Sequence, residues 1–171
     1  MEIAIMQIFN GISVSSILLL AAIGLAITFG LMGVINMAHG EFIMIGAYTT
    51  YVIQNLFMKY LPSKFFDAYA IVAIIMSFLV AALFGIILEK LIIRHLYGRT
   101  VDSLLVTWGV SLFLQQLARS IFGSPNVGVV APSFLEGNLR ITDTIIFPYK
   151  RLFILLIAIV SIVAVYLLMY K

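Results

Sequence analysis

The chain has no cysteine, which removes a disulfide framework, thiolate chemistry and any Cys-based metal site. Charge is also scarce: 10% of residues carry it, against about 25% in soluble proteins. The net charge of +3 is scattered along the chain, with none of the Lys/Arg clusters that mark nucleic-acid binding. A cleaved signal peptide needs a basic n-region, and this chain opens Met1-Glu2-Ile3, so the first hydrophobic segment is expected to stay in the mature protein. There is no Gly-x-Ser-x-Gly elbow and no His-Glu-x-x-His pair. His39 and His95 fall on opposite sides of a full span and return, and neither has an acidic residue at metal-ligand spacing. A Gly-x-x-x-x-Gly-Lys-Ser/Thr phosphate loop is missing too, so the chain cannot itself run on ATP. The sequence therefore supports no catalytic residue, no metal site, no cofactor and no enzyme activity.

What it has in excess is apolar length. At 64% hydrophobic against about 45–50% for soluble domains, this is an integral membrane protein. A bilayer-spanning helix needs about 20 mostly apolar residues, and residues 12–35, 68–88, 104–122 and 152–170 qualify. Residues 42–57 are shorter and hold Thr49, Thr50, Gln54 and Asn55; they read as a span, tilted or re-entrant. The fold class is all-α: a polytopic helix bundle of about five spans. Residues 123–151 carry Pro125, Pro132 and Pro148 and are expected to form an ordered extramembrane loop. Lys90, Arg94 and Arg99 between residues 89 and 102 argue that this connection is cytoplasmic. Lys59, Lys64, Arg140, Lys150 and Arg151 would then lie outside, which leaves the charge count indecisive.

The run Ile35-Asn36-Met37-Ala38-His39-Gly40-Glu41 sets an amide, an imidazole, a glycine and a carboxylate between two apolar segments. A charge at bilayer depth costs on the order of 3 kcal/mol or more. Non-helical backbone there is tolerated only inside protein or beside a water-filled cavity. Asn36, His39, Gly40 and Glu41 thus mark a break between two helices, where something polar passes or the chain turns. Spacing alone favours the plainer version, a short interfacial turn with Asn36 as cap and Glu41 in the first turn of the next helix.

Two further patterns lie on helices. Ala22, Ala26 and Gly30 recur at four-residue spacing, as do Ala81 and Gly85, and small residues at that interval let membrane helices pack closely. They are also simply common in such helices. Ser103, Thr107, Ser111, Gln115 and Arg119 follow at i, i+4 steps, and each step turns about 400°, giving one slowly winding polar stripe. Ser and Thr often bond their own i−4 carbonyl and Arg119 can snorkel. Gln115 has no such excuse, so Thr107, Ser111 and Gln115 are read as facing a bundle interior or an aqueous path.

With these residues in place, a resemblance follows. Gly24-Leu-Ala-Ile-Thr-Phe-Gly-Leu-Met-Gly-Val-Ile-Asn-Met-Ala-His-Gly-Glu-Phe-Ile-Met-Ile-Gly-Ala-Tyr48 resembles the N-terminal signature of permease subunits of branched-chain amino acid-type ABC importers. Within that family, Asp102-Ser-Leu-Leu-Val-Thr-Trp-Gly-Val-Ser-Leu-Phe-Leu-Gln-Gln-Leu-Ala-Arg-Ser-Ile-Phe-Gly123, Asn126-Val-Gly-Val-Val-Ala-Pro-Ser-Phe-Leu135 and Phe147-Pro-Tyr-Lys-Arg-Leu-Phe153 resemble the urea importer permease. The resemblance implies a permease subunit forming part of a solute pathway in a bacterial inner membrane, for urea or else for branched-chain amino acids. It implies a second permease subunit, cytoplasmic ATPase subunits and an extracytoplasmic solute-binding protein as partners, with the lipid bilayer around them and no nucleic acid. Such permeases run to nearly twice this length, so residues 1–171 are expected to be the N-terminal part of one permease domain, lacking the ATPase-docking segment. A non-transporting membrane scaffold, whose polar stripe is a helix interface, is the competing reading.

Overall fold

The computed structural model describes residues 2–140 and 146–169. Five α-helices follow one another among them: α1 (Glu2–Met32), α2 (His39–Tyr60), α3 (Tyr69–Leu91), α4 (Thr100–Phe122) and α5 (Tyr149–Met169). Four helical stretches are long and apolar enough to cross a membrane: Ala4–Gly30, Phe66–His95, Thr100–Phe122 and Tyr149–Leu167. The fifth helix, α2, runs 22 residues without interruption, about 33 Å at 1.5 Å per residue, and so also has the length to cross. The architecture is that of an all-α polytopic membrane protein.

The chain forms two compact units, residues Leu25–Val130 in one, Met1–Gly24 with Ala131–Lys171 in the other. In the first, α2 packs along α3. Thr50 Oγ1 and Ser77 Oγ lie 3.0 Å apart, and each is 3.0 Å from the Gly46 carbonyl oxygen, so two hydroxyls on facing helices share one backbone acceptor. Gly46 and Gly85 sit on the crossing, where a Cβ would lie 3.9 Å from Ser77 and from Phe42 respectively, an ordinary contact distance. Val34, Leu88 and Ile93 form a small buried cluster, with Phe42, Ile92 and Val110 against it. After α4, Gly123 adopts a φ of 87° and releases the chain into an extended stretch. That stretch is fastened at Val130, whose N–H donates to Gln54 Oε1 at 3.0 Å and whose carbonyl accepts from the Tyr69 hydroxyl. Gln54 and Tyr69 are both buried.

In the second unit Phe9, near the start of α1, meets Phe147 edge-on at 4.4 Å. A two-stranded antiparallel hairpin, β1 (Asn138–Arg140) and β2 (Ile146–Pro148), pairs Leu139 with Phe147 and leads straight into α5. Gly137 is required beside it, since a Cβ there would meet the Tyr149 ring at 2.5 Å. The expected long loop thus contains a hairpin. Residues 141–145 between the strands, and Tyr170 at the expected end of the last span, lie outside the described residues.

The break between α1 and α2 falls at residues 33–38, slightly earlier than its polar residues suggest. Gly33, at a φ of 62°, is the left-handed residue that ends α1, and its N–H still donates to the Phe29 carbonyl at 2.9 Å. Gly40 lies inside the first turn of α2.

Candidate functional site

The polar residues of the break separate to two sides. Asn36 makes the turn itself: its Oδ1 accepts the Ala38 N–H at 3.0 Å, and its carbonyl accepts from the His39 N–H at 3.3 Å. This is a local turn bond two residues on, rather than a cap on α2; Ala38 holds the cap position without a side-chain bond. Ala38 is fully buried and Asn36 nearly so.

On one side Glu41, in the first turn of α2, turns toward α4. Its Oε1 accepts from Ser111 Oγ at 2.6 Å and from Gln115 Nε2 at 2.8 Å, and the amide also reaches Ser111 Oγ at 3.3 Å. Burial of an ionised carboxylate is costly unless it is hydrogen-bonded. Here two donors supply short charge-assisted bonds, and the α2 N-terminus adds a favourable dipole. One helical turn earlier on the same stripe, Thr107 serves the broken backbone. Its Oγ1 accepts the Met37 N–H at 3.0 Å and lies 3.2 Å from the Ile35 carbonyl oxygen and 2.7 Å from that of Ser103. One hydroxyl proton must serve these carbonyls by turns. The contacts give the unwound backbone partners inside the protein. Ser103 and Thr107 are completely buried, Ser111 is buried, Gln115 is half-buried, and Arg119 at the end of the stripe is exposed.

On the other side Asn36 and His39 line a cavity of about 670 Å³ against α3, whose wall includes Thr28, Phe42, Ala81, Gly85 and Glu89. Glu89 was not among the residues picked out from the sequence. Its signal was available: it is a carboxylate inside the apolar stretch Phe66–His95, where charge is uncommon. Gln54 and Tyr69, the two side chains that hold Val130, were also missed. Of the small residues, Ala81 and Gly85 lie on this cavity, while Ala22, Ala26 and Gly30 are exposed on α1. Among the described residues no group of three or more His, Asp or Glu side chains is arranged to hold a metal ion.

Interrupted helices joined by buried polar groups, on a scaffold of bilayer-length apolar helices, define a multi-pass membrane protein. The model of one such family, branched-chain amino acid transport system / permease component, matches residues 7–171, and the chain belongs to that family. It is a family of permease components, not of enzymes.

Curated relatives agree. The high-affinity branched-chain amino acid transport system permease protein LivH of Salmonella typhimurium is 31% identical over 134 residues, covering 77% of this chain and 42% of LivH. BraD of Pseudomonas aeruginosa, of the same description, is 32% identical over 137 residues with the same coverage, and LivH of Escherichia coli K12 is 31% identical over 134. The chain thus spans 42% of the length of these relatives. No solved structure matches it significantly.

Proposed function

We propose that the chain supplies part of the translocation pathway of an ABC importer in a bacterial inner membrane. It would work with a second permease subunit, cytoplasmic ATPase subunits and an extracytoplasmic solute-binding protein. The observation that carries this reading is the Glu41–Ser111–Gln115 cluster at the helix break, a hydrogen-bonded carboxylate where lipid-facing sequence has none. The names of the relatives favour branched-chain amino acids as the solute class. Urea is a second reading, supported by the resemblance of residues 102–123, 126–135 and 147–153 to urea permeases. Both solutes carry N–H donors that a carboxylate can accept.

Uptake decides between them. The transporter assembled with its ATPase and binding-protein subunits is reconstituted in liposomes and supplied in turn with labelled leucine and labelled urea. ATP-dependent accumulation of leucine supports the amino-acid reading, and accumulation of urea alone supports the second. Accumulation of neither, with the complex intact, leaves the scaffold reading standing.

A further inference from the structure

The Glu41 cluster uses only one face of the break. The opposite face has a cavity of about 670 Å³, within the range of about 300–1,000 Å³ typical of small-molecule sites. Among the described residues no hydrogen bond joins two of its polar groups, Asn36 and Glu89. Asn36 is only 7% exposed, and its Oδ1 is occupied by the Ala38 N–H. Its NH2 group carries two donors and meets no acceptor among the described residues, so a buried amide presents its donor end to the cavity. Glu89, from α3, brings a carboxylate to the same space; among the described residues its hydrogen-bond partner is the Tyr97 hydroxyl, at a long 3.4 Å from Oε1. The remaining wall is largely apolar, including Phe42 and Phe78.

We propose that this cavity is a solute subsite that reads a molecule carrying both an N–H group and a carbonyl or carboxylate oxygen. The oxygen accepts from the Asn36 amide, and the N–H group donates to the Glu89 carboxylate. The Asn36 amide is the orienting group, because its turn bond to Ala38 fixes which end faces the space. Amino acids and urea share this chemistry, and they differ in charge at the nitrogen. An ammonium gains from the full charge of Glu89, whereas a neutral amide N–H needs only an acceptor. The inference rests on the importer reading and names where within it the solute is held.

The test uses Asn36→Asp and Glu89→Gln in the assembled transporter. Asn36→Asp keeps the oxygen that holds the Ala38 N–H and removes both donors. Glu89→Gln keeps size and an acceptor while removing the charge. Uptake of labelled leucine and urea is measured as a function of concentration, alongside complex recovery and thermal stability. With recovery and stability unchanged, Asn36→Asp is expected to raise the half-saturating concentration at least tenfold for whichever solute the wild type carries. Glu89→Gln is expected to do the same for leucine, and to raise it by less than threefold if the solute is urea. Wild-type half-saturation in both variants overturns the subsite while leaving the importer reading intact. A wild type that carries neither solute overturns both. If Asn36→Asp alone recovers poorly, Glu89→Gln decides for leucine, and Asn36→Ser, which keeps a turn acceptor and lacks the amide, decides for urea.

Discussion

Gly33 and Gly30 lie three residues apart in the sequence and should respond to alanine in opposite directions. Gly33 ends α1 at a φ of 62°, and a Cβ there would meet nothing within 4 Å, so only backbone strain opposes a side chain. A non-glycine residue in that conformation costs about 1–2 kcal/mol. Gly30 lies within α1 and also has open space around it, so Gly30→Ala gains about 0.5–1 kcal/mol of helix propensity. Unfolding in mixed micelles should show Gly33→Ala less stable and Gly30→Ala slightly more stable than the wild type. Equal shifts in one direction would contradict the assignment of Gly33 as the helix stop. The same residues show why the break was legible only approximately. Polar side chains at 36, 39 and 41 announce an interruption, but the stop is set by backbone conformation, which Gly33 does not advertise among so many membrane glycines. Glu41 was visible as a first-turn carboxylate and Ser111 and Gln115 as a polar stripe; their pairing across about 70 residues of chain was not.

At the scale of elements, the α4 stripe was readable because an i, i+4 repeat is a property of one helix, whereas its engagement with residues 35–41 depends on how α4 is placed. The extended segment after α4 gives the clearest case of structure hidden from sequence. Nothing in Gln54 or Tyr69, on different helices, says that both converge on the backbone of Val130. The pair acts as a clamp, with one side chain taking the N–H and the other giving to the carbonyl, while the Val129 and Val130 side chains stay exposed. Each bond is part-buried, and losing one costs about 0.5–1.5 kcal/mol. Gln54→Leu and Tyr69→Phe should each speed modification of a cysteine placed at Val129 by a membrane-impermeant maleimide in native membranes, and the double change should speed it further. Unchanged rates in both single variants would mean that the segment is held by something other than these bonds.

For the whole molecule, the helices α1 to α5 and the connections between them set an order that topology measurements can check. We expect residues 89–102 on the cytoplasmic side and residues 123–151 outside, on the strength of Lys90, Arg94 and Arg99 beside the end of α3. The chain has no cysteine of its own, so single substitutions report cleanly. Ser124→Cys should label in intact cells, and Thr100→Cys only after permeabilisation; the reverse pattern inverts the molecule in the membrane. Family membership follows from the chain as a whole, since the match runs from residue 7 to residue 171 rather than resting on the break alone.

The central claim, that the polar groups of the break serve solute passage, is tested most directly at Gln115. Its amide donates to Glu41 Oε1 at 2.8 Å, and leucine there has no donor. A hydrogen bond to a charged group contributes about 1.5–3 kcal/mol, equivalent to roughly a tenfold to hundredfold effect. The measurement is solute uptake by Gln115→Leu in the assembled transporter, normalised to the amount of complex recovered in detergent. Normal recovery with uptake reduced about tenfold or more is the expected result. Wild-type uptake at normal recovery would contradict it, and loss of recovery in step with uptake would make Gln115 a strut between helices and not part of the path.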